Sequence, residues 1–427
     1  MKVHFIGIGG IGVSALAQYY LAKGHEVSGS DLVSSEITDS LLKKGAKIFI
    51  GKEDPLSLAK KFDLIIHTPA VNVEHRVSNI LSYPEALGEL TKQYFTIAVS
   101  GTHGKTTTTA MIGLILVKAG FDPTVIVGTK LKEFGDSNCR VGKSKYLVIE
   151  ADEHFASFLN YWPKMAVITN IEADHLDYYK NFGNIKKAYS DFVSHLPKDG
   201  ILIKNQKSKI KNQKDNLKLK KLLKVPGEHN IYDASLALEA ARALKIPDKI
   251  SFKALSEYRG AWRRFEIVQT KPFVLISDYG HNPAKAMAGM AAAREKYPAK
   301  EIWCLYQPHQ YQRTHYLFDD FVKTFRRAPV DKIIITDIYD VAGREEKKIK
   351  KNINSQKLVT AINKENVVYL PNKKILPFLR KNLDQMQVLI IMGAGDIYEF
   401  VDKLIDRTSK QRENKNKKRS IFTLSII

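Results

Sequence analysis

The chain has 427 residues, more than one ordinary hydrophobic core accommodates, which predicts two to four domains. Its 44% hydrophobic and 26% charged content is that of a soluble globular protein, and its two cysteines, Cys139 and Cys304, exclude a disulfide framework and a cysteine zinc site. The net charge of +22 concentrates in residues 198–224 (net +8) and 403–419 (net +6), and neither stretch interleaves the aromatics that stack on bases, so no nucleic-acid partner is expected.

No apolar run approaches the ~20 residues that cross a bilayer, and the first residues enter a strand-like run without a signal-peptide layout. A cytoplasmic protein with no membrane partner is the expectation, as monomer or homodimer.

Strand-like runs appear at residues 3–8, 64–68, 95–100, 146–150, 165–169, 274–277, 301–306, 332–336 and 387–392. Each is short, rich in Val, Ile or Leu and not alternating, which is how strands buried on both faces read. Helix-like stretches follow at 106–119, 231–244 and 283–297. The alternation predicts an α/β fold of three blocks built on parallel sheets. They are 1–94, a Rossmann-like domain; 95–261, a P-loop domain with a short basic insert at 201–226; and 262–407, a second Rossmann-like domain. Residues 408–427 read as a basic, disordered tail.

In the first block, Gly7, Gly9 and Gly12 fit G-x-G-x-x-G after a strand, with Gly10 between them, and Asp31 ends the next strand about 20 residues on. This spacing places a pyrophosphate at a helix N-terminus and a carboxylate at a ribose, without choosing the nucleotide. The second block opens with a strand, then Gly101-Thr102-His103-Gly104-Lys105-Thr106-Thr107, then a helix. That order aims backbone N–H groups and the positive helix end at an anion. Lys105 would reach the β/γ phosphates of ATP and the Thr106 hydroxyl would ligate Mg²⁺. The next two strands end in Glu150-Ala151-Asp152-Glu153 and Asn170-Ile171-Glu172-Ala173-Asp174-His175. Strand ends face the ligand crevice in such sheets, and Mg²⁺ prefers oxygen ligands, so Glu150 is the metal candidate and His175 a softer second one.

The combination resembles the Mur ligase family. The carriers are HFIGIGGIGVSALA, VSGSD, VSGTHGKTTTTAM, VIEADE, TNIEADHLD, PGEHNIYDASLA, YRGAWRRFE, SDYGHNP, YQPHQYQRT, ITDIY and MGAGDI, in family order across about residues 3–400. The resemblance implies an ATP-dependent, ADP-forming amide ligase of peptidoglycan precursor synthesis. It joins L-alanine to UDP-N-acetylmuramate through an acyl phosphate. A ligase that recycles a tripeptide onto the same sugar nucleotide, and a catalytically weak regulatory relative, are the alternatives. By motif, Gly7, Gly9, Gly10, Gly12 and Asp31 would hold the UDP part, and Gly101 through Thr107 the phosphates. Thr106, Glu150 and His175 would hold Mg²⁺, with Lys105, Arg264 and His175 as the catalytic set. Asn230 would meet adenine, Asp278 the ribose, and Tyr279, His281, His309 and Arg313 would line the amino-acid end.

Two departures stand out. Gln310 and His315 occupy positions where the family has arginines, so Arg313 is left as the guanidinium of that segment. Only 26 residues, 201–226, stand where the family completes its central domain with extra strands; the chain lacks that part or replaces it with a basic loop.

Overall fold

The computed structural model describes residues 1–73, 77–204, 213–269, 271–340 and 347–405. The chain divides into two compact units, the first running from Met1 to Ala261 and the second from Trp262 onward. The first unit holds two sheets and the second holds one, so the two N-terminal blocks share a unit.

The first sheet is wholly parallel and follows the order β3-β2-β1-β4-β5, from strands β1 (Lys2–Ile6), β2 (Glu26–Asp31), β3 (Lys47–Ile50), β4 (Leu64–His67) and β5 (Ile80–Ser82). The glycine turn leaves the C-terminal end of β1 and enters the helix Ile11–Ala22. Gly7 has φ 76°, and a Cβ there would sit 2.7 Å from Thr68 Cγ2, so glycine is the residue that fits.

The second sheet contains β6 (Phe95–Ser100), β7 (Thr124–Leu131), β8 (Ser137–Arg140), β9 (Tyr146–Glu150), β10 (Met165–Ile168) and β11 (Ile201–Lys204), in the order β11-β10-β6-β9-β7-β8. Only the β7–β8 pair is antiparallel. The central strands are apolar throughout: Ile97, Ala98, Val99, Leu147, Val148, Ile149, Ala166 and Val167 are all 0% exposed. On one face the helix Lys105–Lys118 packs against the helix Glu228–Ala243, whose Ala234, Ala237, Ala240 and Ala241 are small enough to let the two approach closely. The other face shares a continuous apolar cluster with the first sheet, from Phe5 and Leu16 through Ile126 and Ile149 to Phe158. Asn138 on β8 ties the two sheets together. Its Nδ2 donates to Ser14 Oγ (2.9 Å) on the helix Ile11–Ala22.

The structure corrects the reading of the basic insert as a loop. Residues 201–204 pair in register with β10 as the sixth strand. Residues 213–222 form a helix that buries Leu219 and sets Lys218 over the Phe252 ring at 3.6 Å. The tail at 408–427 lies outside the described residues.

The second unit carries β12 (Glu266–Gln269), β13 (Val274–Asp278), β14 (Ile302–Tyr306), β15 (Lys332–Ile335), β16 (Val367–Tyr369) and β17 (Val388–Met392), ordered β12-β13-β17-β14-β15-β16. All pairs are parallel except β12–β13 at one edge. Apolar clusters cover both faces, one around Ile276, Cys304 and Ile390 and the other around Leu275, Leu305 and Leu389.

Candidate functional site

The loop after β6 is fastened from beneath by the segment after β10. Thr102 N donates to Asn170 O (3.1 Å) and His103 N donates to Asn170 Oδ1 (2.9 Å). In return Asn170 Nδ2 donates to His103 O at 3.2 Å, and the Thr169 hydroxyl donates to the same carbonyl. The Tyr232 hydroxyl donates to Thr169 O, so the helix Glu228–Ala243 braces the same strand end. Gly101 (φ 142°) and Gly104 (φ 82°) adopt backbone angles that suit glycine. A Cβ on Gly101 would collide with Thr169 Oγ1, and one on Gly104 with the Asp233 carboxylate.

Lys105 opens the helix, and its Nζ donates to Gly101 O (2.7 Å) and Glu153 Oε2 (2.7 Å), with Asp152 Oδ1 at 3.7 Å. Burial alone would lower the ammonium pKa, but Glu153 and Asp152 outweigh it and hold the group above its ordinary range, fully charged. For Glu153, which is 3% exposed, burial pushes the carboxyl upward against the pull of Lys105. Glu153 joins the site although the sequence reading placed no role on it. The run Glu150-Ala151-Asp152-Glu153 was its signal, and only the fold shows that Glu153 is the acid that faces the lysine. Removing one partner of a buried pair strands the other. Glu153→Ala is therefore expected to destabilise the first unit by about 3 kcal/mol, read as a lower denaturation midpoint; an unchanged midpoint would show that Asp152 suffices.

Thr106 Oγ1 donates to Glu150 Oε2 at 3.1 Å, and Glu150 Oε1 accepts from Gly128 N at 2.6 Å. These two oxygens form a hard donor pair beside the phosphate loop, as Mg²⁺ prefers. His175 (φ 52°) stacks its ring on His154 at 4.1 Å, and its Nε2 lies 3.9 Å from Glu153 Oε1. Among the described residues no three His, Cys, Asp or Glu side chains converge as a metal cluster. Asn230 sits buried in the first turn of its helix, its Nδ2 donating to Pro226 O at 2.6 Å.

In the glycine turn after β1, Gly9 N donates to Asp31 Oδ2 at 2.8 Å, so the Asp31 carboxylate ties the turn to the end of β2. A Cβ on Gly9 would lie 2.9 Å from that oxygen. Gly10 N donates to Gly7 O at 3.1 Å, closing the turn in front of the helix.

The second unit gathers the remaining candidates at the C-terminal ends of β13 and β14. Asp278 accepts from Phe265 N (2.8 Å) and Gly280 N (2.7 Å), which fixes both the turn carrying Arg264 and the turn carrying Tyr279. The Arg264 guanidinium lies 4.7 Å from the centre of the Tyr279 ring. Its neighbour Arg263 is buried and donates to Gly393 O (2.6 Å) and Gly395 O (3.1 Å), a structural tie rather than a free cation. Arg313 Nη1 donates to His309 O at 3.3 Å and approaches His309 Nδ1 at 3.1 Å. The His309 ring stacks on Tyr339, and His281 is 6.1 Å from it. Burial first, then the cations Lys285 and Arg313, hold the His281 imidazole well below its ordinary pKa, hence neutral at pH 7. Of the two positions that depart from the family, Gln310 takes φ 72° at the start of the helix Tyr311–Tyr316, and His315 is exposed on that helix. The segment 309–315 therefore retains the Arg313 guanidinium, which lies beside His309.

Among the described residues no helix is long and apolar enough to cross a membrane.

Three family models match the chain in order: the Mur ligase family catalytic domain over residues 2–95, the Mur ligase middle domain over 99–225, and the Mur ligase glutamate ligase domain over 263–395. A UDP-N-acetylmuramate–L-alanine ligase of Acetivibrio thermocellus is 39% identical, covering 93% of this chain and 94% of the relative. One of the same name from Caldanaerobacter subterraneus is 37% identical, covering 96% and 98%. Among solved structures, a UDP-N-acetylmuramate–alanine ligase of Thermotoga maritima matches with TM-score 0.76 at 27% identity, covering 96% of this chain and 100% of that one. A murein peptide ligase of Psychrobacter arcticus shares the fold at TM-score 0.69 and 22% identity, covering 95% and 98%.

Proposed function

The chain belongs to the Mur ligase family, and from that premise we propose that it joins L-alanine to UDP-N-acetylmuramate at the cost of ATP, in the cytoplasm, as a step of peptidoglycan precursor synthesis. The observation that carries this reading is the presence, in one compact unit, of a dinucleotide-type glycine turn at Gly7–Gly12 and a separate phosphate loop at Gly101–Thr107. A ligase that activates a nucleotide-sugar needs both.

The chemistry follows from the groups present. A carboxylate is a poor acyl donor until one of its oxygens becomes a leaving group. Its attack on the γ-phosphorus of ATP releases ADP and leaves an acyl phosphate. The amine of L-alanine then displaces phosphate, giving the amide and releasing one proton. Both partners of the first step are anions, so positive charge must stand between them. The Lys105 ammonium and the backbone N–H groups of Gly101–Thr107 supply it in this reading, with Glu153 holding the lysine in place. Thr106 and Glu150 would hold Mg²⁺, which contributes charge neutralisation across the phosphates when bound. Arg264 would add its charge at the phosphates, Asn230 would meet adenine and Asp278 the ribose. His281 in its neutral form, with Tyr279, His309 and Arg313, would line the site for the amino acid. Arg313 would meet the alanine carboxylate, a task its planar fork suits.

Phosphate release measured with ATP, UDP-N-acetylmuramate and a panel of amino acids tests the reading. L-alanine is expected to be the amino acid that drives release. Release driven only by L-Ala-γ-D-Glu-diaminopimelate would assign the tripeptide-recycling reaction instead. Release with neither would reject ligase activity.

A further inference from the structure

Outside the residues considered so far, one side chain stands against the glycine turn after β1. Tyr83 begins the helix Tyr83–Thr91, and its ring faces the fourth glycine of the turn after β1. A Cβ on Gly12 would lie 2.8 Å from Tyr83 Cζ, 3.0 Å from Cε1 and 3.1 Å from the hydroxyl oxygen. Gly12 therefore lacks a side chain because the phenol occupies that space at the N-terminal end of the helix Ile11–Ala22. The phenol thus stands at the glycine turn, where a pyrophosphate held by the N-terminal end of that helix would lie.

Tyr83 is also held rigidly. Ser82 and Glu85 form a reciprocal cap at the start of its helix, with Ser82 N donating to Glu85 Oε2 at 2.8 Å and Glu85 N to Ser82 Oγ at 3.5 Å. Gly88 one turn on packs directly against the Asn160 carbonyl, and Trp162 N donates to Thr91 Oγ1 at 3.0 Å. Both contacts anchor the helix to the segment that follows Glu153. A phenol fixed in this way pays little entropy to hold a ligand.

We propose that Tyr83 positions the sugar nucleotide at the glycine turn after β1, its phenol O–H donating a hydrogen bond to an anionic oxygen of that substrate. The assignment rests on the reading of UDP-N-acetylmuramate as substrate. Burial first, then Glu150 and Asp152, push the phenol above its ordinary range, so it remains a neutral donor. A neutral donor suits this place.

The test is titration calorimetry and steady-state kinetics on the full chain with Tyr83→Phe, which keeps the ring against Gly12 and removes only the hydroxyl. The expected result is a Kd for UDP-N-acetylmuramate weakened about tenfold, with the KM for ATP within about twofold and the melting temperature unchanged. A merely structural role would shift both substrates together or the melting temperature. A variant that binds the sugar nucleotide as tightly as the wild type, or loses ATP equally, overturns the assignment to Tyr83 alone. A wild-type chain that does not bind the sugar nucleotide overturns that assignment and the proposed function together.

Discussion

Replacing Lys105 with methionine is expected to lower ATP-dependent phosphate release by about 10²–10³-fold, the loss seen when one preorganised charge is removed from a developing anion. Methionine matches the stem of lysine in length, so the packing of the helix Lys105–Lys118 is preserved while the ammonium is lost. Glu153 is then left buried without its cation and is expected to take up a proton rather than remain charged. Lys105→Arg is not expected to restore activity, because a planar guanidinium cannot occupy the point between Gly101 O and Glu153 Oε2, each 2.7 Å from the ammonium. Turnover in Lys105→Met within about tenfold of wild type would remove the lysine from the mechanism.

The second large effect is expected at Gly101. Alanine there must adopt φ 142° with its Cβ driven into Thr169 Oγ1 and 3.0 Å from both the amide nitrogen and carbonyl oxygen of Asn170. Two of those three neighbours are backbone atoms fixed by the hydrogen bonds that brace the loop, so the loop itself has to move. The combined strain and overpacking amount to about 2–6 kcal/mol. Gly101→Ala is expected to weaken binding of a non-hydrolysable ATP analogue by more than about 100-fold and to lower the melting temperature of the chain. Gly135→Ala is the control: φ is 70° but nothing lies within 4 Å of its would-be Cβ, so its cost is confined to about 1 kcal/mol of backbone strain and nucleotide binding is retained. Equal behaviour of the two variants would mean that the close approach at Gly101 is not what shapes the loop.

The strands that the sequence revealed and those it concealed differ in position. The runs at 95–100, 146–150, 165–169 and 387–392 correspond to β6, β9, β10 and β17, all interior to their sheets. Neighbours on both edges and helices on both faces demand an uninterrupted apolar run, and such a run is visible without a structure. The strands missed are β3, β5, β8, β11, β12 and β16, each of which ends a sheet, and one interior strand, β7, whose apolar run Val125–Val127 is cut short by Gly128 and Lys130. An edge strand is short and can carry polar or exposed residues, as β3 does with Lys47, Phe49 and Ile50 open to solvent. The segment 201–226 was misread for this reason: its lysines signal solvent, while the four residues that complete the sheet and the buried Leu219 of the helix behind them carry too little periodicity to stand out.

The same division holds at the site. Residue types at local spacing sufficed for the succession of strand, glycine loop and helix that carries Gly101 through Thr107. They sufficed for the Gly7–Gly12 turn with Asp31, and for the family to which the motifs belong. Partners distant in sequence were decided by tertiary structure alone. Glu153 faces Lys105 across 48 positions, Asn170 braces His103 across 67, and Tyr83 fills the space beside Gly12 from 71 positions away. Each of these contacts depends on which strand lies beside which, and strand order is set by how apolar faces are buried together, a quantity that no local spacing encodes.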